Sequence, residues 1–221
     1  ALREVLAWPG VEAVTLVADV IGYTAMTEEV SRREAGGAEI ILEAKLPCGP
    51  TLWICWHEAN FIALALHAVV TGRQGMAFVP PGLNGVGMRG WLEELGITPV
   101  PLAADARRGL GLRQMEAALG DGKDVLIAVD GPNGPRHKVS PGAMWLARSS
   151  GAEIKPFGAS ASPAFRLPRW DRLIVPLPGA RVCVVIGEAL ASNRKDLAAE
   201  IPATLDRLMR RARLTTHQGI E

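Results

Sequence analysis

Asp124-Val125-Leu126-Ile127-Ala128-Val129-Asp130 runs directly into Gly131-Pro132-Asn133-Gly134-Pro135-Arg136-His137-Lys138, and the junction of these two stretches decides the fold. The first is the clearest strand in the chain: a short run of aliphatic residues, with an acid at either end, too brief for a helix. The second holds two Gly and two Pro, which make a rigid loop with exposed backbone N–H groups, followed by three basic residues. A strand ending in Asp before such a loop suits an anionic oxygen, either a phosphate or a developing oxyanion. The competing reading is a tight turn with solvated basic side chains.

Outward from this junction, strands and helices alternate. Thr51 to Trp56 is an apolar, β-rich run read as a buried strand. Ala59 to Val70 follows as a helix, with Phe61, Leu64, Ala65 and Ala68 on one face. Gly75 to Val79 and Val100 to Leu102 read as strands, Met88 to Leu95 as a helix closed by Gly96, and Leu112 to Leu119 as a helix closed by Gly120. Ser140 before Pro141 is an N-cap with Pro at the first helical position, so a helix runs from there to about Ser149. Ile154 to Ala159, Leu173 to Leu177 and Val182 to Ile186 read as three further strands. From Asn193 onward the chain is helical, with Pro202 predicting a kink or break. Val14, Val17, Val20 and Ile21 give the stretch from Val11 to Met26 a helical stripe. The expectation is a single α/β domain with a mostly parallel central sheet and helices on both faces. It comprises a helical preface over 1–45, a core over 46–190 and a C-terminal helix over 191–221.

The 221 residues carry 24 Lys and Arg against 23 Asp and Glu, a net charge of +1, which argues against a dedicated nucleic-acid binder. Three cysteines, Cys48, Cys55 and Cys183, are too few for a disulfide framework or a structural zinc site. The N-terminus shows no cleavable signal, and polar residues interrupt the oily stretch from Leu46 to Gly72, so no membrane span is expected. Yet six Trp and a slightly positive mean hydropathy make the chain oilier than most soluble enzymes.

Functional groups of such sheets collect at the carboxyl ends of strands. His57 ends the strand Thr51 to Trp56 and is the candidate general base, since only His titrates near neutrality unaided. Glu58 is its sequence neighbour and points elsewhere, whereas Asn60, one helical turn on, can reach the ring or a substrate. The glycine-rich Gly82 to Gly87 lacks a dinucleotide fingerprint, and no P-loop signature occurs. Cys55 reads as a small core residue, and no serine lies in a nucleophile elbow, which disfavours a serine hydrolase. Arg207, Arg210, Arg211 and Arg213 read as a solvated helix face or one lying against anionic headgroups.

His57 followed some seventy residues later by Asp130-Gly131-Pro132-Asn133-Gly134-Pro135-Arg136 resembles the glycerolipid and lysophospholipid acyltransferase superfamily. The likeness is to a small bacterial branch related to the late acyltransferases of lipid A. It extends over Trp53 to His57, Pro141-Gly142, Leu146 to Ala152, Trp170-Asp171, Pro176-Leu177-Pro178 and Gly187-Glu188. The resemblance implies transfer of a fatty acyl group from a thioester, on coenzyme A or acyl carrier protein, to a lipid hydroxyl. His57 and Asp130 would be the catalytic pair, with His57 as base. Asn60, Asn84, Gly131, Gly134 and Arg136 would bind substrate. No metal or cofactor is implied beyond the acyl thioester. The implied partners are the acceptor lipid and a membrane surface, the implied location the cytoplasmic side of the inner membrane.

The sequence departs from that pattern at three places. Position 62 is Ile where the superfamily's H-x-x-x-x-D carries its carboxylate, and Asn84 stands in an acidic place. Pro101-Leu102-Ala103-Ala104 replaces an R-G-S-S segment, with Arg107 and Arg108 at a shifted position. A second reading therefore stands beside the first: a degenerate acyltransferase fold kept as a lipid-binding or structural subunit of a membrane complex.

Overall fold

The structure, a computed structural model, describes residues 33–35, 38–43, 47–80, 83–102 and 108–217. Its strands are β1 (Arg33–Ala35), β2 (Ala38–Glu43), β3 (Thr51–Cys55), β4 (Gly75–Val79), β5 (Ile97–Pro101), β6 (Asp124–Ala128), β7 (Glu153–Arg166) and β8 (Ile174–Ile186). The helices are α1 (Asn60–Thr71), α2 (Leu83–Glu94), α3 (Arg108–Gly120), α4 (Pro141–Ser149) and α5 (Leu197–His217), with a short 3-10 turn at His57–Ala59. The eight strands form one sheet in the order β1-β2-β8-β7-β3-β6-β4-β5. All neighbours are parallel except β1 with β2 and β7 with β8. This is the α/β architecture with a mostly parallel sheet that the alternating elements predict.

β3 lies inside the sheet between β7 and β6, and every one of its residues is buried. That explains its uninterrupted apolar character: a strand with helices over both faces has no solvent side. Helix α1 is equally enclosed. Phe61, Ile62, Leu64, Ala65 and Leu66 are all buried, each large aliphatic contributing about 1.5–3 kcal/mol by leaving water. Ile62 is fully buried in this core, so the position at which the superfamily motif has its carboxylate is here a packing site. The Ser140 cap forms as expected: its side chain accepts the Ala143 N–H at 3.3 Å, with Pro141 opening α4.

Several expectations need correction. The predicted helix over 11–26 lies outside the described residues, and the described part of the 1–45 preface is a pair of antiparallel strands, β1 and β2. Three short strands after residue 150 are instead two long ones, β7 and β8, paired antiparallel with an irregularity between Ser162 and Ala164. Ser160, Ser162 and Pro163 weaken the local strand signal, and cross-strand pairing overrides it. The second helix begins at Leu83 rather than Met88, and β5 at Ile97 rather than Val100. The C-terminal helix begins at Leu197 and runs unbroken through Pro202. Pro202 sits in the second turn and forfeits the bond to the Ala198 carbonyl, while Ile201, Leu205, Leu208, Met209 and Ala212 hold a continuous buried stripe. No helix among the described residues is long and apolar enough to cross a membrane.

Candidate active site

The adjacent carboxyl ends of β3 and β6 bring together the two sequence segments. Trp56 leaves β3 in extended conformation, and the 3-10 turn begins at His57. Asp130 follows β6, and its carboxylate splices the two ends. Its Oδ1 accepts the His57 N–H at 2.8 Å, and its Oδ2 accepts the His137 N–H at 3.0 Å. Asp130 Oδ1 lies 3.8 Å from the His57 ring Nδ1, outside hydrogen-bond reach. Asp130 thus holds the backbone that carries His57, and the ring Nδ1 is buried without a partner.

Two further contacts pin the His57 ring. The indole of Trp170 lies 5.1 Å away at a 49° tilt. Gly131 comes so close that a Cβ there would lie 2.6 Å from Nδ1. Trp170 also fills the space beside Gly134, where a Cβ would meet its ring at 2.8 Å. Asp171, fully buried, takes a 2.9 Å hydrogen bond from Arg169 at Oδ2 and leaves Oδ1 unpartnered. The His57 pKa falls below its ordinary value: burial pushes it down, Asp130 and Asp171 pull it up, and Arg169 opposes them. The ring is therefore neutral near pH 7 and 21% exposed, the state and access a general base requires.

The remaining candidates are placed as follows. Asn60 opens α1 directly after the 3-10 turn and is partly exposed. Asn84 lies in the first turn of α2, on the far side of β6 from β3 in sheet order. Arg136 does not project freely: its Nη2 pairs with Glu58 Oε2 at 2.5 Å. Cys55 is buried, and burial followed by the Asp130 charge pushes its thiol pKa well up, as suits a core residue.

Glu58 is the residue that sequence reasoning missed. It points away from His57, as expected, but into a ring of cations made by Arg136, Arg166, Arg213 and His137. Burial alone would raise its pKa; the hydrogen bond from Arg136 and the charges of Arg213, Arg136 and His137 outweigh it and hold the carboxyl below its ordinary value. Arg213 was grouped with the solvated face of the last helix, and this is corrected: its Nη2 donates to Glu58 Oε1 at 2.8 Å. Arg207, Arg210 and Arg211 are exposed. The only sequence signal for the ring is an acid inside an otherwise apolar strand-to-helix junction.

The shortest His–carboxylate contact of the described residues lies elsewhere. His67 Nε2 is 2.9 Å from Asp124 Oδ2, and Asp124 also takes Thr51 N–H, Trp53 Nε1 and Arg73 Nη2. This network sits at the amino ends of β3 and β6, the opposite end from His57, and ties down buried structure. Among the described residues no three His, Cys, Asp or Glu side chains gather in a way that could hold a metal ion.

No family model matches the chain. The uncharacterized protein RP090 of Rickettsia prowazekii (strain Madrid E) is 30% identical over 137 residues, 62% of this chain. The chain spans 62% of the length of that relative. Among solved structures, the 1-acyl-sn-glycerophosphate (LPA) acyltransferase PlsC from Thermotoga maritima is similar, with a TM-score of 0.54 over 79% of this chain and 72% of that one, at 14% identity. At that identity the likeness shows the fold: this chain has an acyltransferase fold of the kind seen in PlsC.

Proposed function

We propose that the protein is an acyltransferase that moves a fatty acyl group from a thioester to a lipid hydroxyl. The observation that carries this reading is His57: its pKa lowered, partly exposed and packed against Trp170 and Gly131 at the end of an inner strand of an acyltransferase fold. His57 takes the proton of the acceptor hydroxyl, whose oxygen then attacks the thioester carbonyl; the tetrahedral intermediate collapses with release of the thiolate, which takes up a proton. The loop from Asp130 to Arg136 faces the developing oxyanion or an acceptor phosphate. The donor is an acyl thioester of coenzyme A or acyl carrier protein. The branch related to lipid A acyltransferases, peripheral attachment at the cytoplasmic face of a bacterial inner membrane, and headgroup contact through Arg207, Arg210 and Arg211 belong to the same proposal.

The test is release of free thiol from long-chain acyl-CoA with a lysophospholipid acceptor, comparing wild type with His57→Ala. Turnover in the wild type that falls to background in the variant supports the reading; equal background rates in both overturn it. One observation favours the second reading, a degenerate fold serving as a lipid-binding or membrane-complex subunit. Among the described residues no carboxylate lies within hydrogen-bond reach of the His57 ring, so none fixes its tautomer as in a catalytic triad. Vesicle binding without turnover in the wild type would select it.

A further inference from the structure

A histidine acting as general base is set up by a carboxylate that holds its tautomer and balances the charge it acquires. Three carboxylates bear on His57. Glu58 follows it in sequence, but both its oxygens are taken, by Arg136, Arg166, Arg213 and His137. Asp130 has one oxygen on the backbone N–H of residue 57 and the other on that of residue 137. Asp171 alone of the three has an oxygen to spare. Its Oδ2 takes the 2.9 Å bond from Arg169, and its Oδ1 is buried with no partner among the described residues. Helix α1, which leaves the same turn as His57, carries no acid between Asn60 and Thr71.

The His57 ring has the complementary need. When Nε2 is the atom that accepts a proton, Nδ1 carries the hydrogen of the neutral ring, and Nδ1 is buried without a partner. Buried polar atoms are rarely left unmatched, and here a donor and an acceptor are both unmatched at one site. The turn that carries Asp171 is anchored on the ring: Trp170, the residue before it, packs its indole 5.1 Å from the imidazole. The turn is also closed on itself. Leu167 N–H bonds the Leu173 carbonyl and Arg172 N–H bonds the Arg169 carbonyl, each at 3.1 Å. Arg172 sits at φ 52°, a conformation that a non-glycine residue keeps only where its surroundings impose it. The charged groups felt by the ring agree: against the dominant effect of burial, Asp130 and then Asp171 raise its pKa, while Arg169 lowers it.

We propose that Asp171 is the positioning carboxylate of His57, its free Oδ1 serving Nδ1–H and countering the imidazolium formed when the ring takes a proton. The two atoms are outside hydrogen-bond reach in this structure, and such contacts commonly tighten only when substrate binds. The role in acyl transfer rests on the acyltransferase reading; the coupling to His57 does not.

The test is an NMR titration of the His57 ring in the full chain, assigned with His57→Gln, with folding checked by circular dichroism. Asp171→Asn is expected to lower the His57 pKa, Asp171→Glu to restore it, and Arg169→Gln, which removes the opposing positive charge, to raise it. In parallel acyl-transfer assays Asp171→Asn should lower kcat about 100-fold with KM within twofold, and Asp171→Glu should recover part of the loss. Should Asp171→Asn fail to fold, Asp171→Glu and Arg169→Gln carry the test. A folded Asp171→Asn whose His57 pKa is unmoved or raised, an Arg169→Gln that leaves it unmoved, or a rise in KM at unchanged kcat overturns the proposal. A wild type that shows these titration shifts without transferring acyl groups rejects the acyltransferase reading and leaves the coupling of Asp171 to His57 standing.

Discussion

Gly131 touches His57 so closely that neither has room to change: a β-carbon at 131 would collide with Cε1 and lie 2.6 Å from Nδ1. The Gly-Pro loop after β6 therefore acts on the base sterically. Gly131→Ala is expected to push the ring out of position and lower acyl transfer about 100-fold, the scale of a 1 Å misplacement. The overpacking itself should cost about 1–3 kcal/mol in a denaturant titration. Transfer within twofold of wild type would show that the ring position does not matter.

The depressed pKa of His57 sets a pH dependence. Since the neutral ring is the base, kcat/KM should hold down to pH values below about 6.5, the ordinary His value, and then fall. The charge of Asp171 favours the protonated ring, so Asp171→Asn should move the acid limb to lower pH. An unmoved or raised limb would remove Asp171 from the account.

Stability carries the same sign. The unfolded chain takes up the His57 proton before the folded one does, so stability falls as pH drops below about 6.5 and stops falling below the lowered folded value. Urea titrations across this window should show the loss in wild type and a smaller one in His57→Gln.

Glu58 should matter most to stability. Glu58→Ala strands three arginines and is expected to cost about 3 kcal/mol, at the low end for broken buried pairs because the arginines are partly exposed. Glu58→Gln should cost less. With its folded pKa held down, Glu58 stabilises the protein above the ordinary carboxylate range, and this contribution is lost as pH falls through its folded pKa. Urea midpoints between pH 3 and 6 should show the loss in the wild type and not in Glu58→Gln.

Asp124 provides the contrasting case. Asp124→Asn disturbs contacts to Thr51, Trp53, His67 and Arg73 and is expected to destabilise by about 3 kcal/mol. Acyl transfer measured well below its unfolding temperature should be unchanged. A large fall in kcat in the folded variant would mean that the His67–Asp124 pair, not His57, does the chemistry.

What local sequence determined is the framework of the candidate site. The apolar runs at β3 and β6, the Ser140-Pro141 cap and the Gly/Pro loop after Asp130 each depend on residues a few positions apart, and each forms as read. The same is true of His57 at a strand end. What only tertiary structure decided are the partners. Asp130 reads as a catalytic companion of His57, yet its oxygens go to the backbone amides of residues 57 and 137. Trp53 and Trp56 read only as parts of a buried apolar run, and they are buried, but it is the fold that hands their indole N–H groups to Asp124 and Asp206. Arg166 and Arg213 lie 108 and 155 residues from Glu58 along the chain, and each is unremarkable in its own segment. Periodicity and turn chemistry report how the chain lies with respect to its immediate neighbours. The pairing of charges across such distances follows from strand order and helix packing, which place the end of β7 and the last turns of α5 beside the turn after β3.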